Sequence, residues 1–348
     1  MAQRISARRR VALTQLELPV FGFGAAHIGE LYSRVPEGES RSALQAAWDA
    51  GVRYFDTAPW YGRGLSEHRL GGFLRTQTRG EFQITTKVGR TLHRPLDPNA
   101  FNRAPWLGGL NFEVNFDYSR DGVMRSYEQA LQRLALDSVD ALVIHDLDLL
   151  THGDAALVSS YERQLIDGGG LRALQELKSA GDILAYGMGL NTSEALMTTA
   201  QKVDLDFALV AMPYTLLDQS TLQTGMSDFV RRGVSVIIGA PFASGILVTG
   251  SQVGAKYAYG TASPEVQARV RGIEAVCAAH AVPLPAAALQ FVLAHPAVVS
   301  VIPGAANASE IVQNVAHLNR SIPSAFWVDL KTQGLVDPAS PVPTGASG

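Results

Sequence analysis

The stretch Gly51-Val52-Arg53-Tyr54-Phe55-Asp56-Thr57-Ala58-Pro59-Trp60-Tyr61-Gly62 decides the fold. A helical run ends at Gly51, a short β-type segment Arg53–Phe55 follows, and the chain then delivers Asp56 and Tyr61 in quick succession. A carboxylate at a strand's C-terminal end, with a tyrosine on the loop beyond, is an acid/base arrangement that lacks only a cation to make the phenol acidic. Downstream, Phe82-Gln83-Ile84-Thr85-Thr86-Lys87 is an apolar strand ending in a lysine, and Ala141-Leu142-Val143-Ile144-His145-Asp146 is one ending in a histidine. If these strands are parallel neighbours in one barrel, Asp56, Tyr61, Lys87 and His145 meet at one mouth.

Outward from that stretch the chain alternates. Val11–Val20 reads as a small hairpin closing a barrel floor. Phe21–Ala26 is a first strand whose small end, at Gly24, lets a planar ring approach backbone. Ser40–Ala50 is predicted as a helix, with Ser40 its N-cap, followed by the Asp56 strand, a Ser66–Arg75 helix and the Lys87 strand. Further helix–strand pairs are Asp121–Leu134 with Val139–His145, Leu171–Ala180 with Ile183–Gly189, Ser193–Lys202 with Phe207–Met212, and Leu222–Arg232 with Val234–Ala240. Helices Pro264–Ala281 and Pro285–Ala294 precede strand Val298–Ile302, and Ser309–Arg320 is the last barrel helix. Near-continuous apolar strands separated by helices imply a parallel sheet covered on both faces. A doubly wound open sheet has the same alternation. Eight units with chemistry at several strand ends favour an α/β (β/α)8 TIM barrel, a single domain over 1–348 with an ordered core at about 11–335. The proline-containing tail, Pro338–Gly348 within 336–348, is expected to fray. Thr91–Asn115 breaks the rhythm with Pro95, Pro98, Pro105, Gly108 and Gly109; a loop that long inside a compact domain is usually functional. Following the third strand, it reads as a substrate lid bearing Trp106, or else as surface packing.

Composition narrows the function classes. The 348 residues are 47% hydrophobic and 18% charged, enough for a sizeable core and too apolar for disorder. A net charge of −3 with no basic stripe argues against nucleic acid. The single cysteine, Cys277, forbids an internal disulfide, suits a reducing cytoplasm and reads as core filler. Met1–Arg10 carries four arginines without a following apolar region, so it does not read as a secretion signal. No window is apolar enough for a membrane span, and the eight histidines show no metal-ligand spacing.

The four strand-end residues, with Gly51-Val52-Arg53, Asp56-Thr57-Ala58 and Tyr61-Gly62, resemble the Asp–Tyr–Lys–His tetrad and signature of the aldo-keto reductase superfamily. Gly64-Leu65-Ser66-Glu67 and Leu70-Gly71 fit its next helix, and the similarity runs from about Val20 to Pro343. Within the superfamily the chain is similar to bacterial NAD(P)-dependent aldose 1-dehydrogenases (L-fucose, D-threo-aldose or galactose dehydrogenase) and to pyridoxal 4-dehydrogenases. Phe116–Gly122, Tyr214-Thr215-Leu216-Leu217 and Trp327–Leu335 carry that narrower likeness. The resemblance implies an oxidoreductase in which Tyr61 is the general acid/base, Lys87 with Asp56 lowers the phenol's pKa, and His145 orients the substrate oxygen. Taken singly, Asp56 could cap a turn, Tyr61 could be a half-buried aromatic and His145 a core histidine. His27, after the first strand, could touch substrate or be a loop histidine; Trp60 and Trp106 complete the expected substrate wall.

The tetrad moves only protons, so a hydride carrier is required. Gly22-Phe23-Gly24-Ala25-Ala26-His27 fails as a dinucleotide fingerprint at its third glycine, and no Tyr-x-x-x-Lys occurs. The resemblance implies a cofactor lying extended across the mouth, with Tyr214 stacked on nicotinamide and Pro241–Leu247, through Ser244, Gly245 and Leu247, meeting the pyrophosphate. Asn191 falls near the carboxamide position. Where NADP-preferring relatives carry a lysine and an arginine, this chain has Gly304 and Glu310. A carboxylate repels a 2′-phosphate and can accept from a ribose hydroxyl, which favours NAD over NADP; Glu310 is also an ordinary helix-start acid. Gln313 and Asn314 remain for the adenine edge. The leading expectation is an NAD-dependent aldose 1-dehydrogenase acting on a small sugar. Pyridoxal 4-dehydrogenase, a general aldehyde or ketone reductase, and a non-catalytic cofactor-binding regulatory subunit are the alternatives.

Overall fold

Eight short apolar strands form one parallel sheet: β1 (Phe23–Gly24), β2 (Tyr54–Asp56), β3 (Gln83–Val88), β4 (Ala141–Ile144), β5 (Ala185–Leu190), β6 (Phe207–Val210), β7 (Ser235–Ile238) and β8 (Val298–Val301). They lie in sequence order, each hydrogen-bonded to the next. Closure comes from Val301 N–H donating to Val20 O at 3.0 Å, Gly22 N–H to Val301 O at 2.9 Å and Gly24 N–H to Pro303 O at 3.1 Å. The computed structural model, which describes residues 5–258 and 260–344, is therefore a (β/α)8 barrel.

Two apolar layers follow from this architecture. Outward-facing strand residues and the helices share the larger core. Inside the barrel, Tyr54, Ala141, Val143, Ala185, Phe207, Leu209, Ile237, Val299 and Ile302 pack with Val11, Leu16 and Leu18. Those last three belong to a hairpin of Arg8–Arg10 and Glu17–Pro19 that plugs the floor. The plug starts three residues earlier than the sequence indicates, because exposed Arg8–Arg10 can pair through backbone alone.

Several boundaries differ from expectation. The first helix spans Glu37–Asp49 with Pro36 at its N-cap, and Ser40 is a buried interior residue rather than the cap. Proline's fixed φ starts the helix a turn early. Helices at Leu149–His152, Ala155–Ile166 and Ser324–Thr332 were not anticipated. The tail does not fray over its described part: Lys331 Nζ donates to Pro338 O at 2.9 Å and Ser340 O at 2.7 Å, and Val336 and Ser340 are buried. Residues 345–348 of that tail lie outside the described residues.

The lid is not structureless. Arg90–His93 and Glu113–Phe116 form an antiparallel hairpin, and the intervening loop is pinned to the barrel. Leu110 N–H donates to Gly62 O at 2.8 Å and Leu107 N–H to Glu30 O at 3.1 Å. Arg63 donates to Phe112 O and Asn102 O at 2.9 and 2.5 Å. Prolines and glycines hid the strand alternation from a sequence reading. Among the described residues, no single helix is long and apolar enough to cross a membrane.

Candidate active site

Strand register explains why the four residues converge. Asp56 on β2 lies opposite Thr85 on β3, and Lys87, two residues on, shares Thr85's face. Lys87 lies opposite Val143, and His145 N–H continues that ladder to Val88 O at 3.0 Å. Lys87 Nζ donates to Asp56 Oδ2 at 2.6 Å and to Thr57 O at 2.8 Å, while Thr85 Oγ1 donates to Asp56 Oδ1 at 2.7 Å. Both charges of this ion pair are 2% exposed, so the pair is held out of water with its hydrogen bonds satisfied. Tyr61 is brought over it by a tight turn: Gly62 has φ +63°, and a Cβ there would stand 2.6 Å from Gly29 O. Lys87 Nζ lies 4.6 Å from the Tyr61 ring centre, and the Tyr61 and His145 rings are 6.0 Å apart, edge to face.

The electrostatics differ from expectation in one respect. Burial is the largest influence on Tyr61 and raises its pKa, Lys87 opposes it, and the net direction is upward. Lys87 therefore offsets the desolvation of the phenol rather than acidifying it outright. The lysine itself loses to burial but gains more from Asp56 and Tyr61, and its pKa rises, so it stays charged. His145 is pushed well down by burial, with Arg90 and Lys87 acting the same way, and is a neutral imidazole at neutral pH.

Asp146, on the left-handed side of φ at +41°, was passed over in the sequence and proves to be a junction. Its Oδ2 lies 3.2 Å from His145 Nε2 and accepts from Arg90 at 2.9 Å; its Oδ1 accepts from Asn191 Nδ2 at 2.8 Å. His145 Nδ1 is buried without a partner among the described residues, the nitrogen left for a ligand. Nothing in the sequence marked Arg90, a buried cation within 5.2 Å of the Trp60 ring.

Above the tetrad opens a cavity of about 1310 Å³. The side nearest Tyr61 is aromatic. Trp60 and Trp106 meet edge to face at 5.6 Å, Trp106 lies 5.7 Å from Tyr61, and the buried Trp106 Nε1 has no partner among the described residues. The far side carries Gly24, His27, Asn191, Pro241, Ser244, Gly245, Gly304, Glu310, Gln313 and Asn314. Ala243, Ser244 and Gly245 have φ of +48°, +61° and +102°, a sharp turn of backbone. Two expected cofactor residues are elsewhere. Tyr214 is fully buried, stacked on Phe291 at 5.6 Å and edge-on to His295 at 5.1 Å, and Leu247 is core. Tyr214 is thus packed into the core and does not line the cavity; Phe242, beside Pro241, is a ring that does. His27 does not join the tetrad side but sits against Gly304. Glu310 is tied into the start of helix Ala308–Asn319: it accepts from Ala306 N at 2.8 Å and Asn307 Nδ2 at 2.8 Å, a capping arrangement. Among the described residues, no group of three His, Cys, Asp or Glu is placed to hold a metal ion.

An extended dinucleotide fits such a groove: it is roomy, and two buried imidazole nitrogens, on His27 and His145, have no partner among the described residues. The fold and site define a barrel oxidoreductase. Residues 20–332 match the Aldo/keto reductase family, and the chain belongs to it. The pyridoxal 4-dehydrogenase of Microbacterium luteolum is 38% identical over 344 residues, covering 97% of this chain and 100% of the relative. The D-threo-aldose 1-dehydrogenase of a Pseudomonas species is 35% identical over 340 residues, covering 95% and 98%. An aldo-keto reductase from Bacillus halodurans, in its holo form, shares the fold with a TM-score of 0.70 at 23% identity, covering 95% and 97% of the two chains. Members of this family use nicotinamide cofactors.

Proposed function

We propose that the protein oxidises the hemiacetal hydroxyl of a ring-closed aldehyde to a lactone, with NAD as hydride acceptor. The anomeric hydroxyl of an aldose such as L-fucose or D-galactose is the leading substrate. The observation that carries this reading is the buried Lys87–Asp56 pair beneath Tyr61, with neutral His145 facing it across the cavity floor. In the oxidative direction Tyr61 accepts the hydroxyl proton, and the O–H and C–H bonds break as the lactone carbonyl forms. The hydroxyl's one proton goes to Tyr61, so His145 meets the same oxygen as a donor, through Nδ1–H. Asp56 keeps Lys87 aimed, and Lys87 favours the phenolate that must accept the proton.

NAD would lie along Pro241, Ser244, Gly245 and Gly304 to Asn314, and supplies the acceptor for the hydride. Asn191, which donates through its amide to Asp146 and lines the cavity, would stand beside the carboxamide. The carboxylate of Glu310, with no lysine or arginine among the cavity residues beside it, favours a ribose hydroxyl over a 2′-phosphate.

Pyridoxal is the second reading, favoured by the 38% identity to a pyridoxal 4-dehydrogenase and by the Trp60–Trp106 wall. Its aldehyde lies beside a hydroxymethyl group and closes to the same cyclic hemiacetal, so one chemistry covers both. The test is a screen of L-fucose, D-galactose and pyridoxal with NAD and NADP, reading nicotinamide absorbance and lactone formation. Turnover of open-chain aldehydes alone, with none of the ring hemiacetals oxidised, removes the proposal. Because the phenol's pKa is raised and the oxidative step needs its base form, the oxidation rate should climb with pH through the neutral range.

A further inference from the structure

Gly304 follows β8 and bridges to Gly24, so it forms part of the cavity wall. A Cβ built on Gly304 would stand 2.2 Å from His27 Nδ1 and 2.6 Å from its Cε1, far inside contact distance. The imidazole thus fills the volume that any side chain at 304 would enter. Its Nδ1 is buried and has no partner among the described residues, an omission that a bound ligand would repair. Burial is the main influence on His27 and lowers its pKa, with the Glu310 carboxylate pulling the other way, so the ring is neutral at neutral pH. The Glu310 carboxylate is held fixed by Ala306 N–H and Asn307 Nδ2. A neutral imidazole beside an immobilised carboxylate suits a vicinal diol, whose hydroxyls both donate and accept. It brings no positive charge to a phosphate dianion, and its carboxylate repels one.

We propose that His27 is a cofactor-specificity residue: it hydrogen-bonds the adenosine ribose of NAD through Nδ1 and occupies the space a phosphate-binding side chain at 304 would need. This rests on the assignment, made above, of the Gly304–Asn314 end to the adenosine half of NAD. Specificity here is a matter of exclusion as much as attraction: Glu310 repels the 2′-phosphate, and His27 bars the residue that could neutralise it.

The test measures Kd for NADH and NADPH by quenching of tryptophan fluorescence, with no turnover involved. His27→Phe keeps the ring's volume and removes its nitrogens. It should weaken NADH about tenfold, the scale of one lost buried hydrogen bond, and move NADPH about twofold or less. His27→Ala, which adds no bulk, should show the same NADH loss. Gly304→Lys alone should abolish binding of both nucleotides or lower the melting temperature. His27→Ala combined with Gly304→Lys should restore the fold and bind NADPH more tightly than the His27→Ala variant does. NADH affinity unchanged in both His27 variants, with wild type preferring NADH, overturns the role of His27 alone. Gly304→Lys that folds and gains NADPH without help at position 27 overturns the steric part. A wild-type protein that binds NADPH at least as tightly as NADH overturns the NAD assignment, and the role of His27 with it.

Discussion

At one end of the cavity, Asp56, Lys87 and His145 stand on strand ends whose heights are set by ladder hydrogen bonds. At the other, Gly304, Glu310 and Gln313 stand on a loop and the first turns of a helix. The strand end is dry and its Lys87–Asp56 pair is satisfied, with His145 Nδ1 left over for a ligand; the helix end is more open, and its single acid doubles as a cap. On the proposed reading, chemistry is anchored on strand ends within the sheet, while cofactor recognition falls to a loop and a helix start outside it. This is the division of labour expected of the C-terminal face of such barrels.

The sharpest way to break that comparison is at the strand end. Tyr61→Phe keeps the ring against Trp106 and should lower kcat about 10²–10⁴-fold while NADH affinity is retained. Lys87→Met should cost a similar factor, and its residual activity should need higher pH, because the influence opposing the phenol's desolvation is gone. A residual rate with an unshifted pH profile removes the tuning role of Lys87.

At the helix end the expected effect is smaller. Glu310→Arg replaces a repulsion with a phosphate clamp and should move the NADP/NAD ratio of kcat/KM by roughly ten- to a hundredfold at fixed ionic strength. It should also lower the melting temperature by a few degrees, since the cap contacts to Ala306 and Asn307 go with it. An unchanged ratio would mean that Glu310 serves only the helix.

Smaller still is the effect at the junction between the ends. Asp146→Asn keeps the shape but unbalances Arg90, His145 and Asn191, and should reduce kcat/KM about tenfold. A purely structural loss would appear in the melting temperature with kcat/KM intact. Trp106→Ala should raise substrate KM several-fold and leave NADH affinity alone. Equal kinetics across the screened substrates would reduce the lid to packing.

What could be read in advance follows the same divide. The strands and the convergence of the four residues were legible because an apolar run ending in a polar side chain states both a strand and its exit. Tyr214 misled because a sequence shows a ring but not its direction, and only packing on Phe291 and His295 reveals that it turns inward. Asp146 was passed over because its partners, Arg90 and Asn191, lie far away in sequence. His27 stayed open between a substrate contact and a loop histidine, since nothing local reports that the barrel's seam brings Gly304 beside it. The lid hairpin was hidden because its prolines and glycines mask the two short strands that carry it.

The seam has a consequence for how the chain is made. Phe21 must find Val301, and Arg9 reaches the carbonyls of Leu293 and Val298, so a segment made before the barrel's first strand docks on the barrel's last strand. Until Val298–Val301 leaves the ribosome, β1 and β7 are open edges, and Val11, Leu16 and Leu18 have only part of their interior to fill. Contacts spanning nearly the whole sequence slow productive folding and prolong the exposure of those edges. A nascent or truncated chain ending before β8 should therefore be the form most in need of chaperone protection, whereas the completed barrel seals both edges at once.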